Sequence, residues 1–310
     1  MFNKTRAAIV AIAVIIPISI IVVWNSSQLQ EFPEISVENQ KIVALTSFYP
    51  LYEFTKEVGK DKIDVSLIIP PGVEPHDWEP SIQDIQRIQQ ADIIIINGVG
   101  FENWLESIEK SNSGLVIIDS SNGVNIIKSD IDEHEDANHN SSLGDPHIWL
   151  NPNLVKIQIR NIADGLIDLD PKNSQYYRDN SESYIKKLDA LDSKIRNELF
   201  NCRKDFVAFH NAFTYFAKEY GLNQHTITSI DPHDEPTSKT LEQIINLSKE
   251  MKIQVIFSEE GVDKRTSEVI ANELGGKVLI LSPLEINEAN TSYIEKMEAN
   301  LDNLKEALCN

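Results

Sequence analysis

Positive charge is the scarcest feature of this chain. Its 28 lysines and arginines stand against 48 aspartates and glutamates, giving a formal net charge of -20 at pH 7 and a sequence pI near 4.7. A surface that holds nucleic acid needs clustered Lys and Arg to neutralise phosphates, so no nucleic-acid partner is expected. Cysteine is almost missing too. Only Cys202 and Cys309 occur in 310 residues, without CxxC spacing or the neighbouring histidines of a zinc finger. In an exported protein they pair with each other, and otherwise they are two buried thiols; the sequence leaves both readings open. There is also no HExxH pairing and no nucleophile constellation, so the chain is not expected to be an enzyme.

What remains is a globular composition. With 41% hydrophobic and 25% charged residues the chain can bury a substantial core, and its length suggests two domains. Residues 7 to 24 are apolar without a charge and follow Lys4 and Arg6. That run is long enough to span a bilayer and has no small-x-small cleavage site behind it. Residues 1–24 are therefore expected to be a signal anchor and transmembrane helix, with everything from Asn25 onward outside the cytoplasmic membrane. No cysteine follows closely, which excludes lipoprotein anchoring. Residues 25–40 are polar and read as a stalk.

From Lys41 onward, short apolar runs alternate with helical periodicity. Strand patterns at 41–47, 63–69, 93–97 and 115–119 enclose helical ones at 51–58, 82–90 and 101–110. The alternation predicts an α/β fold with parallel sheets, and the run Ile93-Ile94-Ile95-Ile96 suits a strand covered on both faces. The pattern repeats beyond residue 203. Between the halves, Tyr184, Ile185, Leu188, Leu191 and Ile195 form one stripe on a helix opened by Asp170 and Pro171. At about 30 residues it would run roughly 45 Å at 1.5 Å per residue. The expected organisation is thus an N-terminal lobe at 41–169, a long rigid connecting helix at 170–202, and a C-terminal lobe at 203–310. A helix that stiff predicts a small tilt of the lobes on ligand binding rather than a wide closure.

Three histidines carry the chemistry. His147 lies in Asp145-Pro146-His147-Ile148-Trp149-Leu150-Asn151-Pro152, where prolines restrict the backbone on either side. His76 lies in Pro71-Gly72-Val73-Glu74-Pro75-His76-Asp77-Trp78-Glu79-Pro80, and His210 ends the strand pattern at 205–209. Each sits in or beside a loop that follows a strand, where open α/β sheets bind their ligands. Neutral imidazole suits Zn²⁺, and three histidines with an open fourth position make a known tetrahedral set. The histidines are 71 and 63 residues apart, so the site exists only in the folded chain. The connection at 120–144 holds His134 and His139 among acids and reads as a solvated loop or a weak collecting site. His233 is placed in a loop and not counted as a ligand, His225 within a strand as a structural group, and Trp78, Trp104 and Trp149 as loop anchors.

The segments PGVEPHDWEPS, DPHIWLNP, FHNAFTYFAKEYG and TSYIEKMEANLDNLKEAL, with DPKNSQYYRDNSESYIKKLDAL between the halves, resemble the signatures of the zinc/manganese solute-binding proteins of ABC transporters. The resemblance covers residues 41 to 309. It implies that His76, His147 and His210 are metal ligands, and His210, where manganese-preferring members carry a carboxylate, implies Zn²⁺ before Mn²⁺. Such proteins place an aspartate in the loop after the last strand. Ser282 stands at that point here, so the resemblance implies a missing ligand, replaced by water or by Glu259 at another strand end. It further implies a monomeric extracytoplasmic receptor, anchored at the outer face of the membrane, that passes its ion to an ABC permease and ATPase. A zinc hydrolase using the same three histidines and a metal-stabilised surface adhesin are the alternatives.

Overall fold

The computed structural model describes residues 41–111, 114–128, 144–229, 232–233, 235–286 and 291–309. The expected anchor, the stalk, and the acidic stretch with His134 and His139 lie outside the described residues. Among the described residues no helix is long and apolar enough to cross a membrane.

Two four-stranded parallel sheets form the frame. The first contains β1 (Ile42–Thr46), β2 (Ile63–Leu67), β3 (Ile93–Ile96) and β4 (Ile117–Asp119) in the order β2-β1-β3-β4. The second repeats that order with β5 (Asp205–Ala208), β6 (Asn223–Thr226), β7 (Val255–Ser258) and β8 (Lys277–Ile280), as β6-β5-β7-β8. Register runs Ala44 against Ile93 in the first sheet and Val207 against Ile256 in the second. Helices α1 (Tyr49–Gly59), α2 (Ile82–Gln90), α3 (Leu105–Ser111) and α4 (Pro152–Leu169) accompany the first sheet; α6 (Thr214–Tyr220), α7 (Ser238–Met251), α8 (Arg265–Glu273) and α9 (Tyr293–Leu308) accompany the second. The central strands β3 and β7 are buried at every residue, as the unbroken apolar run at 93–96 implied.

Helix α5 (Ser174–Leu199) joins the halves over 26 residues, which is roughly 39 Å at 1.5 Å per residue. It is shorter than its periodicity suggested because residues Pro171–Asn173 form a separate 3-10 turn. Asp170 does not cap a backbone N–H there. Its carboxylate instead accepts from Asn173 Nδ2 and from the Tyr177 hydroxyl at 2.9 Å. The predicted stripe is the buried face: Tyr184, Ile185, Leu188, Leu191 and Ile195 all pack inward. One continuous apolar core runs from Ala44, Phe48 and Ile95 through this stripe to Phe206, Phe257 and Leu301, so both sheets close on the same interior. Outer faces have their own smaller clusters around Ile94 and Trp104, and around Ile256 and Ile270.

Cys202 and Cys309 form a disulfide across a separation of 107 residues, which decides between the two readings of the cysteines. It joins the turn after α5 to the end of α9 and so closes the whole second sheet and its helices into one covalent ring. Limiting the unfolded chain over a loop of that length is worth about 4 to 5 kcal/mol in the loop-entropy picture. Replacing both cysteines by serine, or adding reductant, is therefore expected to lower the thermal midpoint by several degrees while leaving the far-ultraviolet circular dichroism of the folded state unchanged; a midpoint unmoved by reductant would remove this role.

Candidate metal centre

The site is assembled from strand ends. His210 follows β5, Glu259 follows β7, and these two strands are neighbours at the point where the order of the second sheet reverses. Loops leaving such a point diverge and leave a crevice. His76 comes from the loop after β2, and His147 from the connection after β4, where it leads into a 3-10 turn at Ile148–Leu150. The turn is held firmly. Trp149 is fully buried, packs edge-on against Phe48, and donates its Nε1–H to Pro283 O at 2.7 Å. Tyr293 donates its hydroxyl to Trp149 O at 2.9 Å. Asn97, at the end of β3, donates to Pro146 O at 2.9 Å and itself accepts from Gln158. Trp149 is thus a loop anchor, and Trp78 and Trp104 likewise pack against each other at 5.5 Å.

The three predicted histidines meet. His147 Nε2 lies 3.3 Å from His76 Nε2 and 3.3 Å from His210 Nε2. A carboxylate joins them: Glu285 Oε1 is 3.3 Å from His76 Nε2, 3.4 Å from His147 Nε2 and 3.8 Å from His210 Nε2. The four donor atoms all lie within 4.8 Å of one another. Bonds of about 2.0 to 2.1 Å to a tetrahedral Zn²⁺ place neighbouring donors roughly 3.3 to 3.4 Å apart. Four of the separations match such edges, and the Glu285 to His210 distance of 3.8 Å is somewhat longer.

The outer nitrogens explain why the inner ones face each other. His147 Nδ1 is 2.8 Å from Asp145 Oδ1, which also accepts the His147 backbone N–H at 2.9 Å. His210 Nδ1 is 2.7 Å from Glu259 Oε2, and Glu259 Oε1 accepts the His210 backbone N–H at 3.1 Å. A carboxylate only accepts, so each Nδ1 carries a proton and each Nε2 is left facing the common point, where a metal ion or a proton can take it up. Three nitrogens and a carboxylate oxygen gathered in a buried space are stabilised by sharing a cation, a proton or a metal ion.

Glu259, the carboxylate that sequence reasoning offered as a ligand, thus stands behind His210 rather than in the group of four. The acid in that group is Glu285, from the loop after β8, where Ser282 had suggested that no ligand remained. That loop turns through Pro283 and Leu284, and Leu284 adopts the left-handed φ of 63°, which carries the next side chain inward. No glycine or asparagine stands at that turn to announce it; the signal available was Glu285 itself, one of two acids in the post-strand loop and three residues beyond Ser282. The other two histidines among the described residues stand apart. His225 lies in β6 with its Nε2 3.2 Å from Asp205, and His233 is exposed, 3.5 Å from Asp77.

Burial is uneven across the site: the His76 side chain retains 11% exposure while those of His147, His210 and Glu285 retain 1% or less. Burial disfavours the His147 imidazolium, but the Asp145 and Glu285 carboxylates outweigh it and push its pKa up to about 9. Burial likewise opposes ionisation of Glu285, and the His76, His147 and His210 imidazoles more than offset this, holding it below the usual carboxylate range.

A model of the family described as zinc-uptake complex component A, periplasmic, matches residues 44–307. The high-affinity zinc uptake system protein ZnuA of Bacillus subtilis is 39% identical over 283 residues, covering 87% of this chain and 89% of that one. The zinc-binding protein AdcA of Streptococcus pyogenes is 33% identical over 314 residues, covering 94% of this chain but only 61% of its own length. Among solved structures, the laminin-binding protein Lmb of Streptococcus agalactiae, described as a bifunctional adhesin and metal transporter, matches with a TM-score of 0.78 at 32% identity, over 86% of this chain and 99% of that one. The Zn(II)-bound ZnuA-like domain of Streptococcus pneumoniae AdcA matches with a TM-score of 0.75 at 31% identity, over 86% and 98%.

A raised His147 pKa means that the metal-free site holds a proton at neutral pH, which an incoming cation must displace. The apparent affinity for a divalent ion is therefore expected to fall by close to tenfold per pH unit as pH drops from about 9, rather than only below the ordinary imidazole value near 6.5. Titration calorimetry at pH 7 in buffers of different ionisation enthalpy should show about one proton released per ion; affinity flat between pH 7 and 9 would contradict the shift.

Proposed function

The chain belongs to the zinc-uptake complex component A family, and on that premise we propose that it is the extracytoplasmic receptor of an ABC importer, binding Zn²⁺ through His76, His147, His210 and Glu285 and surrendering it to a membrane permease driven by an ATPase. The observation that carries this reading is the convergence of three Nε2 atoms and one carboxylate oxygen, with four of their separations at 3.3 to 3.4 Å, the length of a tetrahedral zinc edge. Three nitrogens and one oxygen at tetrahedral edges suit Zn²⁺; Mn²⁺ takes more ligands and favours oxygen. The ion is cargo, so the site must release it as well as hold it.

The residues at the centre argue for binding over catalysis. A zinc hydrolase keeps one position open for water and a base beside it. Here Glu285 fills the fourth corner, and Glu259, the candidate base, is bound to Nδ1 and the backbone N–H of His210. The extended common core and α5 support a stiff frame, in which ion exchange proceeds by movement of the ligand-bearing loops and a small tilt of the halves. The charge-free segment at 7–24 supports attachment to the outer face of the membrane through a polar stalk.

His76→Ala, His147→Ala and His210→Ala are each expected to weaken zinc binding by a hundredfold or more, and Glu285→Ala by ten- to a hundredfold. Glu259→Gln, which perturbs His210 from behind, should also cost about tenfold or more. Competition against a chromophoric chelator measures all five, with Mn²⁺ as the comparison ion. Wild-type affinity in all three histidine variants would sink the assignment.

A further inference from the structure

Lys296 is a buried ammonium on α9 with only 8% of its side chain exposed, and no step described so far uses it. Its Nζ donates to Ile286 O at 2.8 Å and to Glu260 Oε1 at 2.9 Å. Ile286 follows Glu285 in the chain, and Glu260 follows Glu259. The other carboxylate oxygen of Glu260 accepts from the hydroxyl of Ser282. The same Nζ lies 6.0 Å from the centre of the Tyr49 ring, at the start of α1. One ammonium therefore ties the loop after β7, which orients His210, to the loop after β8, which presents Glu285.

The Glu285 loop needs that tie. On its N-terminal side the loop is fixed by Ser282 N–H to Asn300 Oδ1 at 2.8 Å, by Asn300 Nδ2 to Ser282 O at 2.7 Å, and by Trp149 to Pro283 O. On the C-terminal side the anchor is Lys296. Between them Leu284 holds a left-handed φ, which costs free energy for a side-chain-bearing residue and persists only when both flanks are held. Moving the Glu285 oxygen by an ångström would open the tetrahedral edge and admit ions of higher coordination number.

We propose that Lys296 is a positioning residue for the metal centre: it fixes Glu285 and, through Glu260, the support of His210, and thereby sets the preference for a small four-coordinate ion. The proposal rests on the zinc-receptor reading above.

The test uses the intact chain carrying Lys296→Met, Lys296→Arg, Glu260→Gln and Glu285→Ala, with Lys296→Met and Glu260→Gln also placed in the Glu285→Ala background. Zinc and manganese affinities come from chelator competition, and cobalt(II) absorption reports coordination number. Lys296→Met is expected to lower zinc affinity by ten- to a hundredfold, to narrow the zinc-to-manganese ratio, and to weaken the visible cobalt bands characteristic of four-coordination. Lys296→Arg should restore most of the loss. In the Glu285→Ala background the additional loss should shrink to the smaller part carried through Glu260 and His210, because the part carried through the Glu285 carboxylate is already gone. Glu260 is partly exposed, so Glu260→Gln keeps the test decisive if Lys296→Met does not fold; it should show a smaller loss of the same kind. Unchanged zinc affinity and cobalt spectrum in Lys296→Met or, failing its folding, in Glu260→Gln, or a full additive loss without Glu285, would overturn the proposal. Absence of zinc binding in the unaltered chain would instead remove the receptor reading itself.

Discussion

The structure depends on two carboxylate–imidazole pairs, Asp145 with His147 and Glu259 with His210. Left alone, an imidazole distributes its proton between two nitrogens and its ring over several rotamers. A buried acceptor at Nδ1 removes both freedoms and aims the opposite lone pair. Because each carboxylate also accepts the backbone N–H of the same histidine, the ring is fixed to its own main chain. Convergence of the Nε2 atoms is thus prepared by the protein itself, before any ion arrives.

The frame around these pairs serves to keep them still. Both sheets use the same strand order, both offer the carboxyl ends of their strands to the crevice, and one apolar interior unites them. Trp149 illustrates the economy of the arrangement: the residue two places after His147 is bonded to the loop that bears Glu285, so a ligand from the first half and one from the second share a support. An extended common interior resists wide separation of the halves, which leaves exchange of the ion to the loops.

Much of this was legible in the residues. The alternation of apolar runs with helical periodicity gave the two parallel sheets, and the stripe from Tyr184 to Ile195 gave the joining helix, because those patterns follow from burial alone. His76, His147 and His210 could be singled out because proline-bounded or strand-terminal histidines are placed by local backbone geometry. Glu285 could not, since its position depends on the left-handed turn at Leu284 and on contacts to Trp149 and Lys296, all set by distant parts of the chain. Glu259 was picked as a carboxylate near the metal for a sound reason, its strand end, but tertiary packing gave it the far side of His210. The titration of His147 was also out of reach, because it depends on two acids that come close only in the fold.

The single donor that meets solvent is His76. On the proposed receptor reading, an ion coming from outside meets that imidazole before the three enclosed donors, and on departure it is the bond to His76 that water can attack first. Ligand exchange is thus directional, beginning and ending on the loop between β2 and α2. On that reading the one partly open corner sets where the ion enters and leaves, and the three closed corners set its retention.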